Sequence, residues 1–308
     1  MENTSKGPSL VSVVIPCYNH EDYIQDSIMS VVNQCYENIE LIVIDDGSKD
    51  ASVEKIKELI HICKGRFKRF EFRARENIGL CATLNEAIDW CQGEYYAAIA
   101  SDDILKPGKT ALQVEYLDQH PSCVAVFGSV ETISGDGTLL RSSVHSPRKY
   151  EFDDIFFHRH SLPAPTQMIR LKSLVKTGGY PEGLAIEDWY MWLKLSISGA
   201  TLDNLGVVVT AYRRHTGNMS GQIGKMEKGR YAILEMFKLS PGYRRAYANA
   251  VLMAAIDWQL YDKKSSLYKL MLAIRTYPAV VFQLKFIKYL AKSLVSKRHL
   301  VKHLEGEQ

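Results

Sequence analysis

The sequence lacks several features that would assign it to a common class directly. No G-x-G-x-x-G follows the first predicted strand and no Walker sequence is present, which removes the main support for a dinucleotide-dependent dehydrogenase or a P-loop enzyme. Apolar runs are far shorter than the roughly 18 residues of a membrane span, and residues 1–10 contain no apolar signal core. We therefore expect a cytoplasmic protein, and its 46% hydrophobic and 24% charged residues are typical of a globular one.

The cysteines also lack a functional pattern. Six are scattered along 308 residues, without a C-x-x-C pair and without histidines at zinc-site spacing. A disulfide scaffold would be denser in cysteine, and a zinc site would show tighter spacing. We interpret these cysteines as structural thiols.

Acidic residues are missing from one long segment near the C-terminus. Residues 263–303 contain ten Lys or Arg and no Asp or Glu, whereas residues 1–262 contain 28 basic and 33 acidic side chains. The helical spacing of apolar residues places Lys285, Lys288 and Lys292 on one face of a predicted helix. Such a helix can lie in the headgroup layer of an anionic membrane. The alternatives are a helix packed on the body with solvated lysines and, less consistent with the Lys-rich composition, a nucleic-acid surface.

Strands alternate with helices in the first hundred residues, which predicts a doubly wound α/β sheet with its ligand site at the carboxyl ends of the strands. Predicted strands cover 10–16, 39–44, 70–75 and 95–100, and predicted helices cover 23–34, 51–63 and 80–90. Polar and aromatic side chains follow each strand, at Tyr18, Asp45-Asp46, Glu76-Asn77 and Asp102-Asp103. These groups are therefore expected to converge along one edge.

The rest of the chain is less regular and then becomes helical. Strands are predicted at 124–127, 128–133, 138–144, 166–170 and 207–212, and helices at 111–119 and 189–198. From residue 225 onward the whole pattern is helical. We expect a domain at 1–222 and a basic helical region at 223–308.

An ordered set of motifs resembles glycosyltransferase family 2, the inverting enzymes with the nucleotide-diphospho-sugar transferase (GT-A) fold. The resemblance covers about residues 9–221. Its motifs are VSVVIPCYN at 11–19, IDDGS at 44–48, NIG at 77–79, NEA at 85–87, SDD at 101–103, GGY at 178–180, EDW at 187–189 and YRRH at 212–215. The resemblance implies a Rossmann-like mixed sheet with helices on both faces and a C-terminal helical extension.

The resemblance also implies residues for the nucleotide. The Tyr18 ring would stack on the base, with Pro16 beside it. Asp46 would accept the ring N–H of uracil, thymine or guanine, which adenine and cytosine lack, and a UDP-sugar is favoured. Asn77 and Gly79 would lie near the diphosphate, where a glycine lets the backbone approach closely.

A divalent cation, Mn²⁺ or Mg²⁺, is expected because it would neutralise the departing diphosphate. The resemblance assigns Asp103 and His215 to the metal and Asp102 to the ribose or sugar. Ala100 occupies the position of the first Asp of the D-x-D pattern common in the family.

The resemblance assigns the catalytic base to Asp188, which would deprotonate an acceptor hydroxyl during a single inverting displacement. With the basic tail, it implies a glycan acceptor linked to a polyprenyl diphosphate at the cytoplasmic face of the inner membrane, as in surface-polysaccharide synthesis. Two alternatives stay open. A sugar nucleotidyltransferase would need a Gly-rich basic loop after the first strand, and a non-catalytic module would use the tail alone.

Overall fold

A computed structural model describes residues 7–215, 217–218 and 221–294, apart from the side chains of Lys292 and Leu294. The chain divides into two compact units. The first unit contains the chain up to Phe152 together with Ser161–Gly183 and Glu187–Arg214, and the second contains Asp153–His160, Leu184–Ile186 and the chain from His215 onward. The predicted domain 1–222 includes the two short segments that the structure groups with the second unit. The domain boundary at residue 222 stays a prediction.

The described residues form ten strands and eleven α-helices. The strands are β1 (Val11–Cys17), β2 (Ile39–Asp45), β3 (Arg69–Ala74), β4 (Tyr95–Ala98), β5 (Ile104–Leu105), β6 (Cys123–Ile133), β7 (Leu139–Ser143), β8 (Arg148–Tyr150), β9 (Met168–Arg170) and β10 (Thr201–Arg213). The helices are α1 (Ile24–Val32), α2 (Ser52–Arg66), α3 (Leu80–Trp90), α4 (Lys109–Gln119), α5 (Phe152–Phe156), α6 (Leu171–Lys176), α7 (Glu187–Ser196), α8 (Ile223–Met236), α9 (Tyr243–Trp258), α10 (Lys263–Thr276) and α11 (Leu284–Leu294).

All ten strands of the first unit belong to one mixed sheet. The order along it is β3-β2-β1-β4-β9-β6-β10-β5, with β7 on β6 and β8 on β10. Strands β1 to β4 are parallel to their neighbours within this set, as the alternating pattern predicted, whereas β9 runs antiparallel to both β4 and β6. The structure therefore confirms the predicted GT-A type of mixed sheet.

Strands β1 and β2, the inner two of the parallel set β3-β2-β1-β4, are buried almost along their whole length. This burial explains their mostly apolar, β-branched sequences, because strands covered by helices on both faces have few positions open to polar side chains. On one face, Val13 and Leu41 pack in the same cluster as Ile28 of α1 and Ile56 of α2. The core thus fixes β1 and β2 side by side.

Some predicted strands were wrong in extent. Strand β6 is one continuous strand rather than two, and β10 begins at Thr201 rather than at residue 207. A Cβ atom on Gly128 would lie 2.5 Å from Val209 Cγ2 and 2.6 Å from the Val207 carbonyl oxygen. The glycine therefore lies inside the strand as a site of close β6–β10 contact rather than as a break. Strands β5 and β8 were not predicted, since two or three residues carry no readable periodicity.

The second unit is helical, as the sequence predicted for residues beyond 225. Helices α9, α10 and α11 share a core with the short 3₁₀ helix Pro278–Phe282, made of Val251, Leu252, Ala255, Leu270, Ala273, Val280 and Tyr289. The Asp262 side chain begins α10 by accepting the backbone N–H groups of Lys264 and Ser265 at 2.9 and 3.2 Å. None of the described helices combines the length and the apolar character needed to cross a bilayer.

One lysine of the predicted lipid-facing row has a different environment. Lys285 is partly buried, and its Nζ donates to the carbonyl oxygen of His158 at 2.9 Å. Burial lowers the pKa of Lys285 from its usual value, with a further contribution from the positive charge of Arg230. Lys288 is exposed, while the Lys292 side chain and residues 295–303 lie outside the described part of the chain.

The close contact at Gly128 leads to a stability prediction. Gly128→Ala should lower the free energy of unfolding by about 1–3 kcal/mol, because the added methyl must displace β10 backbone and Val209. The matched control is Gly65→Ala in α2, where a Cβ would meet no atom within 4 Å. It should leave stability unchanged or raise it by up to about 1 kcal/mol. Urea unfolding of both variants measures this, and equal effects would contradict the proposed packing.

Candidate active site

Loops with polar side chains meet where the parallel strands β1, β2 and β3 end. The register pairs Cys17 with Asp45 and Asp45 with Ala74, so the three strands end at the same level. Tyr18 follows β1 with 47% of its surface exposed, and the backbone N–H of Asp46 donates to the carbonyl oxygen of Cys17 at 2.8 Å. The fold therefore brings the loops of these two predicted base-binding residues together.

The Asp46 side chain organises the predicted phosphate-side turn. Its Oδ1 accepts the backbone N–H of Ile78 at 2.8 Å, and its Oδ2 accepts that of Gly79 at 2.9 Å. Arg75 completes the arrangement by forming an ion pair with the same carboxylate. Sequence analysis predicted Asp46 and Gly79 separately, and the structure joins them through these hydrogen bonds.

Close backbone approach explains the glycine of the IDDGS motif. Gly47 has φ +77°, and a Cβ there would lie 2.6 Å from the backbone nitrogen of Asn77. Only glycine combines this conformation with this contact. Pro16 lies in β1 opposite Ile44, one residue before the strand ends.

A buried arginine anchors the SDD segment. Arg213 is 2% exposed, its Nε donates to the carbonyl oxygen of Asp102 at 2.9 Å, and its backbone N–H donates to Asp103 Oδ1 at 2.9 Å. Its other nitrogens donate to the carbonyl oxygen of Gly135 and to Asp26 Oδ2, both at 2.8 Å. The predicted strand 207–212 stopped one residue short of Arg213. Arg213 is the last residue of β10 and positions the two aspartates.

The two aspartates of the SDD segment have different surroundings. Asp103 is 1% exposed, and burial together with the neighbouring charge of Asp102 raises its pKa well above the usual value. Asp102 is 6% exposed and lies beside His20, with a carboxylate oxygen and an imidazole nitrogen within 4.8 Å of each other. Of the two, Asp102 is thus the one grouped with a second metal-binding type of side chain.

Sequence analysis did not select His20. Its Nδ1 is 2.7 Å from Ser101 Oγ, and its ring packs edge-on against Tyr23 with centroids 5.9 Å apart. Imidazole nitrogen and carboxylate oxygen are suitable ligands for Mn²⁺, and Mg²⁺ accepts the carboxylate. The donor set of His20 and Asp102 therefore fits a divalent cation. The sequence feature that could have identified His20 is its position three residues after β1, at the sheet edge where the SDD segment also lies.

His215 is the first residue of the second unit. Its backbone N–H donates to Asn218 Oδ1 at 2.7 Å, and its Nδ1 accepts the N–H of Gly217 at 3.2 Å. These contacts fix its local conformation. Its predicted role as a metal ligand stays a prediction.

Two adjacent carboxylates begin α7. Burial, with a smaller effect of the Asp188 charge, raises the pKa of Glu187 to about 8. Burial also raises the pKa of Asp188, whose Oδ1 accepts the backbone N–H of Trp189 at 2.6 Å. Burial therefore favours the protonated form of both carboxyl groups, and the Asp188 charge adds to this effect at Glu187.

The GGY turn that precedes α7 is fixed by Asn85 of α3. Asn85 Nδ2 donates to the carbonyl oxygen of Tyr180 at 2.8 Å, and the Tyr180 N–H donates back to Asn85 Oδ1 at 2.8 Å. A Cβ on Gly179 would lie 2.6 Å from that same Oδ1. The NEA and GGY motifs are thus two sides of one contact.

The tryptophans of α7 do not form a sugar-stacking face. Trp189 and Trp192 are 2% and 3% exposed. Trp192 packs edge-on against Phe127, with centroids 5.4 Å apart, and its Nε1 donates to Gln167 Oε1 at 3.3 Å. They belong to the core, as most tryptophans at helical spacing do.

Solved structures share this fold at low sequence identity. Residues 1–349 of Staphylococcus aureus TarS, in complex with UDP-GlcNAc, align with 88% of this chain and 90% of that one, at TM-score 0.57 and 17% identity. The mannosyltransferase PcManGT from Pyrobaculum calidifontis, in complex with GDP-Man and Mn²⁺, aligns with 97% and 85% at TM-score 0.63 and 15% identity. Both are GT-A enzymes, so the likeness confirms the fold.

Sequence relatives carry the family assignment. TuaG, a Bacillus subtilis glycosyltransferase named for teichuronic acid biosynthesis, is 31% identical over 227 residues, which is 71% of this chain and 84% of that protein. An uncharacterized glycosyltransferase of Haemophilus influenzae is 30% identical over 239 residues, covering 72% and 71%. The model for glycosyl transferase family 2 matches residues 12–178. From these matches and the fold, the chain belongs to glycosyl transferase family 2.

Proposed function

We propose that this chain is an inverting glycosyltransferase of polysaccharide biosynthesis. It moves a hexosyl or N-acetylhexosaminyl group from a UDP-sugar to a hydroxyl of a glycan acceptor linked to a polyprenyl diphosphate. Catalysis is assigned to residues 1–222, and the basic helices of residues 223–308 serve the membrane contact. The observation that carries the proposal is the meeting of the Asp46–Arg75–Gly79 cluster with the Tyr18 loop at one sheet edge.

Donor recognition in this proposal depends on the first two loops. Tyr18 is exposed at the end of β1, where its ring can cover one face of the base, a contact worth about 1–3 kcal/mol. Asp46 accepts the base N–H. Its carboxylate also binds, through hydrogen bonds, the turn that carries Asn77 and Gly79. The names of the structural neighbours support a nucleotide-sugar donor.

The SDD segment would bind the cation. Asp102 and His20 are the residues that would hold it, and it would supply the positive charge that stabilises the departing diphosphate. Asp103 is the originally predicted ligand, but its Oδ1 already accepts the Arg213 N–H. We therefore propose that Asp103 anchors the SDD segment to β10 and that Asp102 binds the cation. His215 remains a second proposed ligand.

Asp188 is the proposed base. A single displacement needs one group that accepts the hydroxyl proton while the anomeric carbon is attacked, and no protein nucleophile. In this proposal Glu187 carries the proton and Asp188 is the ionised member of the pair, because two ionised neighbours would repel each other.

Membrane contact is proposed for the outer faces of α10 and α11. On α11, Leu284, Ile287 and Leu290 are 75%, 55% and 46% exposed, beside the exposed Lys288. On α10, the exposed apolar residues are Leu267, Tyr268 and Met271. Apolar side chains flanked by lysines suit the boundary between acyl chains and anionic headgroups.

Donor hydrolysis tests the active site. With UDP-GlcNAc, UDP-glucose and GDP-mannose as probes and Mn²⁺ present, the wild type should release nucleoside diphosphate slowly. Asp102→Asn should lower both Mn²⁺ affinity, measured by titration calorimetry, and hydrolysis. Asp188→Asn should keep the donor affinity and lower hydrolysis by about 10²–10⁴-fold, since only the base is removed.

The control for these variants is Asp89→Asn, which removes an exposed carboxylate of α3 and should leave both quantities unchanged. Hydrolysis at the wild-type rate in Asp188→Asn would reject this residue as the base. Unaltered Mn²⁺ affinity in Asp102→Asn would reject the metal assignment.

The raised pKa of Glu187 predicts a pH-dependent stability. Because its folded pKa of about 8 exceeds the usual carboxyl value, the folded state favours its protonated form. This stabilising contribution is complete below about pH 4.5 and is lost as the pH rises toward 8. Glu187→Gln should therefore reduce the fall in Tm between pH 6 and pH 8.5 by at least about 2 °C. The exposed Glu182→Gln should retain the wild-type fall, and identical profiles for all three proteins would contradict the assignment.

Vesicle flotation tests the membrane face. Substituting Leu284, Ile287 and Leu290 together by Ser should weaken binding to phosphatidylcholine–phosphatidylglycerol vesicles by at least about tenfold, since three apolar side chains no longer enter the interface. The matched control replaces Ile62, Val175 and Ile197 of the first unit, which are also exposed. Binding that falls equally in both triple variants, or in neither, would reject this surface.

A further inference from the structure

The second unit contains a cleft that the transferase mechanism does not use. It has a volume of about 550 Å³ and lies where the start of α9 faces the end of α10. We name it the arginine cleft. Its lining residues are Asp153, Phe157, Pro241, Gly242, Arg244, Arg245, Thr276, Tyr277 and Pro278.

Two arginines of this cleft are held in place without a carboxylate partner. The Arg245 guanidinium stacks 4.4 Å from the centroid of the buried Phe157 ring, and Arg244 Nη2 donates to the Thr276 carbonyl oxygen at 3.3 Å. Within the described residues, neither guanidinium forms an ion pair with an acidic side chain. By contrast, Arg159, which contacts the same ring at 5.4 Å, is paired with Asp154 at 3.3 Å.

Stacking leaves the binding edge of a guanidinium available. The Arg245 Cζ lies over the Phe157 ring, and a guanidinium packed on a ring can still donate N–H groups from its edge. Both guanidinium groups line the cleft, and two such donors match the several oxygens of a phosphate group. Asp153 contributes the one negative charge of the lining, so the charged side chains of the cleft sum to +1.

The charge distribution of α9 supports a ligand of negative charge. Its first turn contains no acidic residue and instead carries both arginines. Cations at this end are disfavoured by the helix dipole, and an oxyanion between them would reverse that penalty. The backbone of the cleft also approaches the Phe157 ring closely, since a Cβ on Gly242 would lie 2.7 Å from Phe157 Cζ.

We propose that the arginine cleft binds a phosphomonoester or diphosphate group, with Arg244 and Arg245 as its ligands and Phe157 as the platform that orients Arg245. Its residues belong to the second unit, whereas the residues of the proposed donor site belong to the first. The phosphate-bearing molecule has two sources to distinguish, a lipid headgroup and a soluble phosphate ester.

Binding of inorganic pyrophosphate to the full chain tests the proposal. Calorimetry in the presence of EDTA removes metal-dependent binding at the donor site, so failure here and failure of the transferase proposal are distinguishable. Replacing Arg244 and Arg245 together by Gln should raise the Kd at least about tenfold, because two charge-assisted contacts are lost. Arg275→Gln, which removes an exposed arginine of α10, should leave it unchanged. Equal affinity in all three proteins would overturn the site.

A second measurement needs no substitution. Phenylglyoxal modifies accessible arginines, and peptide mapping reports each one. Pyrophosphate should protect Arg244 and Arg245 from modification but not Arg275. Equal rates at the two cleft arginines with and without pyrophosphate would also overturn the proposal.

Vesicles then identify the source of the phosphate. Phosphatidylcholine vesicles containing phosphatidate present a phosphomonoester, and vesicles containing phosphatidylglycerol present a diester. If the double Gln variant loses binding to phosphatidate vesicles but not to phosphatidylglycerol vesicles, the ligand is a lipid headgroup. A loss seen only with soluble pyrophosphate supports a free phosphate ester, and no loss with either overturns the cleft as a phosphate site.

Discussion

The parallel register of β1 against its two neighbours is the constraint on which the candidate site depends. Cys17 lies opposite Asp45, so the loops after β1 and β2 begin at the same level, whereas β4 ends at Ala98, opposite Val14 and three residues earlier along β1. A slip of one residue would turn every β1 side chain to the opposite face, where it would meet a layer packed to fit other side chains, so side-chain fit fixes the register. Packing of apolar residues therefore determines where the polar ones meet.

The site also shows how the fold retains carboxylates that burial disfavours. Asp103 and Asp188 each accept a backbone N–H, from Arg213 and Trp189 respectively. Each also has an acidic neighbour, and burial raises the pKa of both. Such pairs are most stable when a proton or a cation offsets one of the two charges. In our proposal the proton on Glu187 does this at α7, and a bound cation does it at SDD.

Much of this could be predicted from the sequence, and the misses have physical causes. Long buried strands and helices were identified from their periodicity, whereas β5 and β8 are too short to show any. The predicted strand 207–212 excluded Arg213, because a charged residue gives no sign in the sequence that β10 buries it. His20 was missed because its partners, Ser101 and Asp102, are about eighty residues away and only the sheet brings them near.

The hydrogen bonds of the Asp46 carboxylate explain how the proposed base selection would work. A carboxylate offers about four acceptor positions on its two oxygens. Arg75 and the N–H of Ile78 use those of Oδ1, and the N–H of Gly79 uses one on Oδ2. One acceptor position on Oδ2 is left, in a direction fixed by the other three donors. A base with a single ring N–H satisfies it, whereas a base that presents only a lone pair there would face the negative oxygen and be repelled.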